Sequence, residues 1–74
     1  MKQEEKVAII EKAKELGFAK HCRAANFLWC EHENRFFYLL SEDMMLGEFV
    51  GMYQDNRIVT SPLDLETLFN AITK

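Results

Sequence analysis

Residues 27–30 read Phe-Leu-Trp-Cys and residues 36–40 read Phe-Phe-Tyr-Leu-Leu. Successive side chains of a strand point to opposite faces, so a strand through either stretch is apolar on both sides. A sheet that is wet on one face alternates apolar with polar residues, and these stretches do not. Phe27 and Trp29 fall on one side of the first, Leu28 and Cys30 on the other. In the second, Phe36, Tyr38 and Leu40 oppose Phe37 and Leu39. Further along, Val50 and Met52 oppose Phe49 and Tyr53. Whatever this chain folds into has two apolar sheet faces to cover.

Length sharpens the problem. The chain has 74 residues, read as one domain spanning 1–74. A chain this short buries only about 60% of the surface its unfolded form exposes. Its core rarely supplies more than about 3–5 kcal/mol without help. Two cysteines allow one bridge at most, so this is no disulfide scaffold. Yet 49% of the residues are apolar, far from a disordered composition. The missing stability is therefore expected from packing, including packing between chains.

Helices are marked at both ends. Ile9, Ala13 and Leu16 recur at i, i+4 and i+7 with Ile10 beside them, which predicts a helix over residues 3–16. Gly17 suits the left-handed position after its last turn, and Phe18 can fold back on Ala13 as a Schellman-type stop. At the other end, Ser61 is a good N-cap, Pro62 stands at N1 and Asp64 in the first turn. Leu65, Leu68, Phe69 and Ile72 follow at i, i+3, i+4 and i+7.

Between the helices lie strands. Residues 18–26 read either as a short turn of helix or as a strand from about Lys20. FLWCE, a polar HEN link and RFFYLL predict a hairpin, with Asn34 in a left-handed position. SEDMML reads as a loop or single turn. GEFVGMYQ follows as a strand, Asp55-Asn56 as a tight turn, and RIVTS as the last strand. The expected fold is α+β: a two-layer α-β-β-β-β-α sandwich. Its sheet is an antiparallel meander, with the N- and C-terminal helices packed on one face.

Two short helices cover one sheet face. The other is expected to meet a partner, because exposed apolar patches mark interaction sites and aromatics and methionine are enriched at interfaces. The candidate interface residues are Phe27, Trp29, Phe37, Leu39, Phe49 and Tyr53. A homodimer through the sheet face or edge is the simplest form. The expected activity is protein interaction, not catalysis, with no cofactor.

Other chemistry is weaker. His21, Cys22, Cys30 and His32 contain every histidine and cysteine, but the H-C-x₇-C-x-H spacing matches no zinc pattern. Only Cys30 and His32, at i and i+2, share a strand face as a candidate metal pair. No C-x-x-C lowers a thiol pKa, and no G-x-S-x-G or framed nucleophile is present. Net charge is −3, the wrong sign for nucleic acid. The basic N-terminal segment offers Lys2, Lys6, Lys12, Lys14, Lys20 and Arg23 as candidate phosphate contacts, with glutamates interspersed. No signal-peptide run or membrane-length apolar window is found. The expected setting is a reducing cytoplasm with the cysteines as thiols.

Overall fold

The computed structural model describes residues 2–20, 26–51 and 53–74. Their elements run α1 (Gln3–Glu15), β1 (Ala19–Lys20), β2 (Phe27–His32), β3 (Arg35–Leu40), β4 (Met45–Val50), β5 (Tyr53–Ile58) and α2 (Pro62–Thr73). The strands form one antiparallel meander in sequence order. The α+β architecture is the one expected, with a short fifth strand, Ala19–Lys20, added at one edge.

Local chemistry accounts for both helix ends. The Phe18 amide donates to the Ala13 carbonyl at 2.9 Å and the Gly17 amide to that of Lys14 at 3.1 Å. With Gly17 at φ 104°, this is the full Schellman pair. It turns Phe18 into the core, where its ring meets Phe69 edge-on at 5.3 Å. At the start of α2 the Ser61 hydroxyl accepts from the Asp64 amide at 3.0 Å. The Asp64 carboxylate in turn accepts from the Thr60 amide at 3.0 Å.

One core lies between the helices and the sheet. Ile9 and Ala13 of α1 and Leu65 and Phe69 of α2 pack with Leu28, Cys30, Phe37, Leu39 and Leu46 of the strands. Met44 and Val59, on the flanking connections, complete it. The Val59 amide donates to the Met44 carbonyl at 2.7 Å, which ties the exit of β5 to the entry of β4.

The β2–β3 hairpin differs from the sequence reading by one residue, and the difference has consequences. His32 belongs to β2 and pairs with Arg35. The turn is two residues long, with Glu33 at φ 51° and Asn34 at φ 67°. Positive φ at both central residues is the type I′ signature, whose twist matches that of the flanking strands. Trp29 therefore pairs with Tyr38, and Cys30 with Phe37. A one-residue change of register moves a strand's whole apolar set to the other face. Phe37 and Leu39, expected beside Phe27 and Trp29, stand instead beneath the helices, with no exposed surface. They are core residues. Phe36 and Tyr38 take the positions assigned to them.

The next hairpin also turns elsewhere than expected. Val50 pairs with Tyr53, and Asp55 and Asn56 lie within β5, opposite Glu48 and Gly47. The chain reverses after Val50, where Gly51 has φ 60° and open space around it. Asp-Asn is the more obvious turn dipeptide, but a left-handed glycine carries no Cβ penalty. The reversal separates Phe49 from Tyr53, so they no longer share a face.

The two faces of β3 should respond differently to truncation. Phe37→Ala removes a fully buried ring and is expected to cost about 3–5 kcal/mol. Phe36→Ala, at a half-exposed site, is expected to cost about 1 kcal/mol or less. Urea denaturation of the two variants measures the difference; equal costs would contradict the register.

Candidate interaction surface

Both helices pack on one side of the sheet, and the described residues place no helix on the other. That open face presents Phe27, Trp29 and Glu31 of β2, Phe36, Tyr38 and Leu40 of β3, Met45, Gly47 and Phe49 of β4, and Gln54, Asn56 and Ile58 of β5. Of these strand residues Glu31 alone is charged.

Tyr38 organises the layer. Its ring lies across Gly47 on the neighbouring strand, and its hydroxyl donates to Asn56 Oδ1 on the strand beyond. A β-carbon on Gly47 would overlap the end of the Tyr38 ring and come within 2.7 Å of the Asp55 carbonyl oxygen. Glycine is required there for close approach, not for its dihedral freedom. Phe27 stacks on one side of the Tyr38 ring at 5.8 Å, and Phe49 lies tilted against it at 4.6 Å. Tyr38 is thereby buried, although no helix among the described residues covers it. Burial, and then the Asp55 charge, raise its phenol above the usual tyrosine range.

Around this centre the surface stays apolar and open. Trp29 and Phe36 stack at 6.2 Å. Trp29, Phe36, Phe49 and Ile58 are 37%, 44%, 40% and 63% exposed. Three candidate residues, Phe27, Trp29 and Phe49, thus lie on the open face. Phe37 and Leu39 do not. Tyr53 is well exposed, but it stands at the far end of β5 on the helix side of the sheet, opposite Val50. Phe36, Tyr38 and Ile58 were missed. The alternation of RFFYLL held the signal for the first two, once the turn length is known.

The helix side ends in a polar clasp. The Arg35 guanidinium donates twice to the Glu48 carboxylate, at 2.7 Å each, and lies 5.2 Å above the Phe37 ring. A two-point pair of this kind is among the stronger charged contacts. The Arg35 bond holds the Glu48 carboxyl below its ordinary range.

The candidate metal pair shares a face as expected, but the two residues have different surroundings. Cys30 is buried, its Sγ 4.0 Å from the Leu16 carbonyl oxygen. Desolvation pushes its thiol up, away from the thiolate a metal needs. His32 is exposed on the same side, its ring 6.2 Å from that of Phe69. Among the described residues no three His, Cys, Asp or Glu side chains gather as a metal site. His21 and Cys22 lie outside the described residues.

The candidate phosphate contacts are dispersed. Lys6 donates to the Glu42 carbonyl at 3.3 Å. Lys12 sits between Glu66 at 2.9 Å and Glu15 at 3.4 Å, and the Glu66 bond raises its pKa. Lys14 and Lys20 line a shallow depression of about 200 Å³ with Ile10, Leu28 and Ser41, and Lys2 is exposed at the start of α1. Arg23 lies outside the described residues. No described helix is long and apolar enough to cross a membrane.

No protein-family model matches this chain, and comparison with curated proteins and with solved structures returns no match.

Two outcomes test the site. Gly47→Ala forces Tyr38 off the sheet and is expected to cost about 1–3 kcal/mol, the range for overpacking, by thermal or urea denaturation. Glu48 has a lowered folded-state pKa, so its contribution is present above the unfolded carboxylate value and lost as pH falls through the folded one. Acid titration of stability should therefore be shallower for Glu48→Gln than for the unaltered chain. Parallel titration curves would show that the pair contributes nothing.

Proposed function

We propose that the chain is a small protein-interaction module without catalytic activity, and that it works by associating through the open face of its sheet, in the simplest case with a second copy. The carrying observation is the aromatic layer of Trp29, Phe36 and Phe49 around the buried Tyr38, large, part-exposed at its rim and nearly free of charge. Contiguous apolar surface of this kind is characteristic of interaction sites, and aromatic side chains dominate the energetics of such sites. A nucleic-acid partner is less well matched, because phosphate contacts need lysine or arginine, and the described strand residues of this face include neither. The depression beside Lys14 is smaller than the roughly 300 Å³ at which small-molecule sites begin.

Trp29, the single tryptophan, reports on coverage of the face. With increasing protein concentration its emission is expected to move to shorter wavelength as the molecular mass rises. Phe36→Lys is expected to weaken this association at least about tenfold, or 1.4 kcal/mol. The new charge lies opposite Glu31 across the strand pair, which favours retention of the fold. Constant emission and a constant mass in both proteins would overturn the reading.

A further inference from the structure

We propose that β5 is a self-complementary edge, on which a second copy of this chain adds its own β5 antiparallel, centred on Asn56, to make a continuous ten-stranded sheet. β5 ends the described sheet, and all six of its residues are exposed. It pairs with β4 residue for residue from Tyr53 to Ile58, without a bulge. Edges are ordinarily protected by shortness, bulges, cover or charged side chains; among the described residues β5 has only the last, Asp55 and Arg57, which are of opposite sign. The opposite edge, β1, is two residues long.

Backbone geometry selects the residues that present the edge. The Val59 amide points inward, bonded to the Met44 carbonyl. Orientation alternates along a strand, so Asp55 and Arg57 also direct their backbone groups towards β4. Gln54, Asn56 and Ile58 direct theirs outward. A two-fold axis through Asn56 joins these outward groups: Asn56 with Asn56, Gln54 with Ile58, and Ile58 with Gln54.

Charge then selects the register. With Asn56 at the centre, Asp55 of each copy stands opposite Arg57 of the other, twice. These are the non-hydrogen-bonded positions, where side chains approach most closely. The same two residues already form an ion pair within the strand at 3.3 Å, so the junction gathers two anions and two cations. Centring on Asp55 would oppose Asp55 to Asp55, and centring on Arg57 would oppose two arginines. Like charges directly opposite one another destabilise a strand pair.

Area gives an independent reason. Four six-residue strands about 4.8 Å apart, at about 3.3 Å per residue, with the two-residue β1 beside them, make an open face of roughly 400 Å² in outline. A stable interface takes about 800 Å² from each partner. Edge pairing places two open faces side by side and reaches that size. The proposal rests on the reading above in one respect, that the chain works by association.

The experiment separates edge from face by light scattering, with circular dichroism confirming the fold. Phe36→Lys disables the face, with Phe49→Lys as a second background. In either background the chain is expected to remain a dimer of twice 8.7 kDa. Adding Arg57→Asp leaves two acids on each edge, and adding Asp55→Arg leaves two arginines; each is expected to be monomeric alone. Mixed one to one, they are expected to recover the dimer. Repulsion within each strand is unchanged by mixing, so recovery reports a contact between chains. A monomer in both face-disabled backgrounds, a dimer that survives Arg57→Asp, or a mixture that stays monomeric would overturn the proposal. An identical mass with and without Phe36→Lys would instead count against the open face and leave the edge standing.

Discussion

The pairing of His32 with Arg35 around two left-handed residues is the constraint on which the rest of this structure depends. It decides which side of β3 meets the helices. With a turn of two residues, Phe37 and Leu39 join Leu28 and Cys30 under α1 and α2, and Phe36 and Tyr38 go to the open face. One residue more in the turn would exchange these sets. Both sets are apolar, so hydrophobic burial alone discriminates poorly between them. The type I′ geometry of Glu33-Asn34 supplies the discrimination locally, although only Asn34 is a residue that readily accepts it.

The open face is constructed, not left over. Tyr38 spans three strands by crossing Gly47 and reaching Asn56, and Phe27 and Phe49 enclose its ring. An aromatic side chain laid over a strand glycine supplies the packing that the glycine lacks. The sheet thereby gains a thin second core on the side without helices. Trp29, Phe36 and Ile58 extend it outward without being covered themselves, which is why we read the face as a surface for association. The charged pair Arg35–Glu48 is kept to the helix side, where it does not interrupt this layer.

Much of the fold was legible because its signals are local. Gly17 with Phe18, and Ser61 with Pro62 and Asp64, satisfy backbone groups within a few residues of themselves. No distant contact is needed to recognise them. The aromatic β2 and β3 stretches were equally plain. The reversal at Gly51 was not, because Asp55-Asn56 offered the more familiar turn sequence and was outweighed by pairing along the whole of β4. Candidate interface residues fared accordingly. Phe27, Trp29 and Phe49 lie on the open face, while Phe37, Leu39 and Tyr53 were displaced by errors of one turn each.

By itself, the sequence determined the two end helices, the antiparallel meander between them, and the excess of apolar surface over what two helices cover. These follow from capping, periodicity and length, which are properties of neighbouring residues. Only the tertiary structure decided which apolar set is core and which is open, that Gly47 serves Tyr38, and that Asp55 and Arg57 lie together on an edge strand. Each of these turns on the register between strands. Register is a relation between distant residues, and a single residue of turn length inverts it.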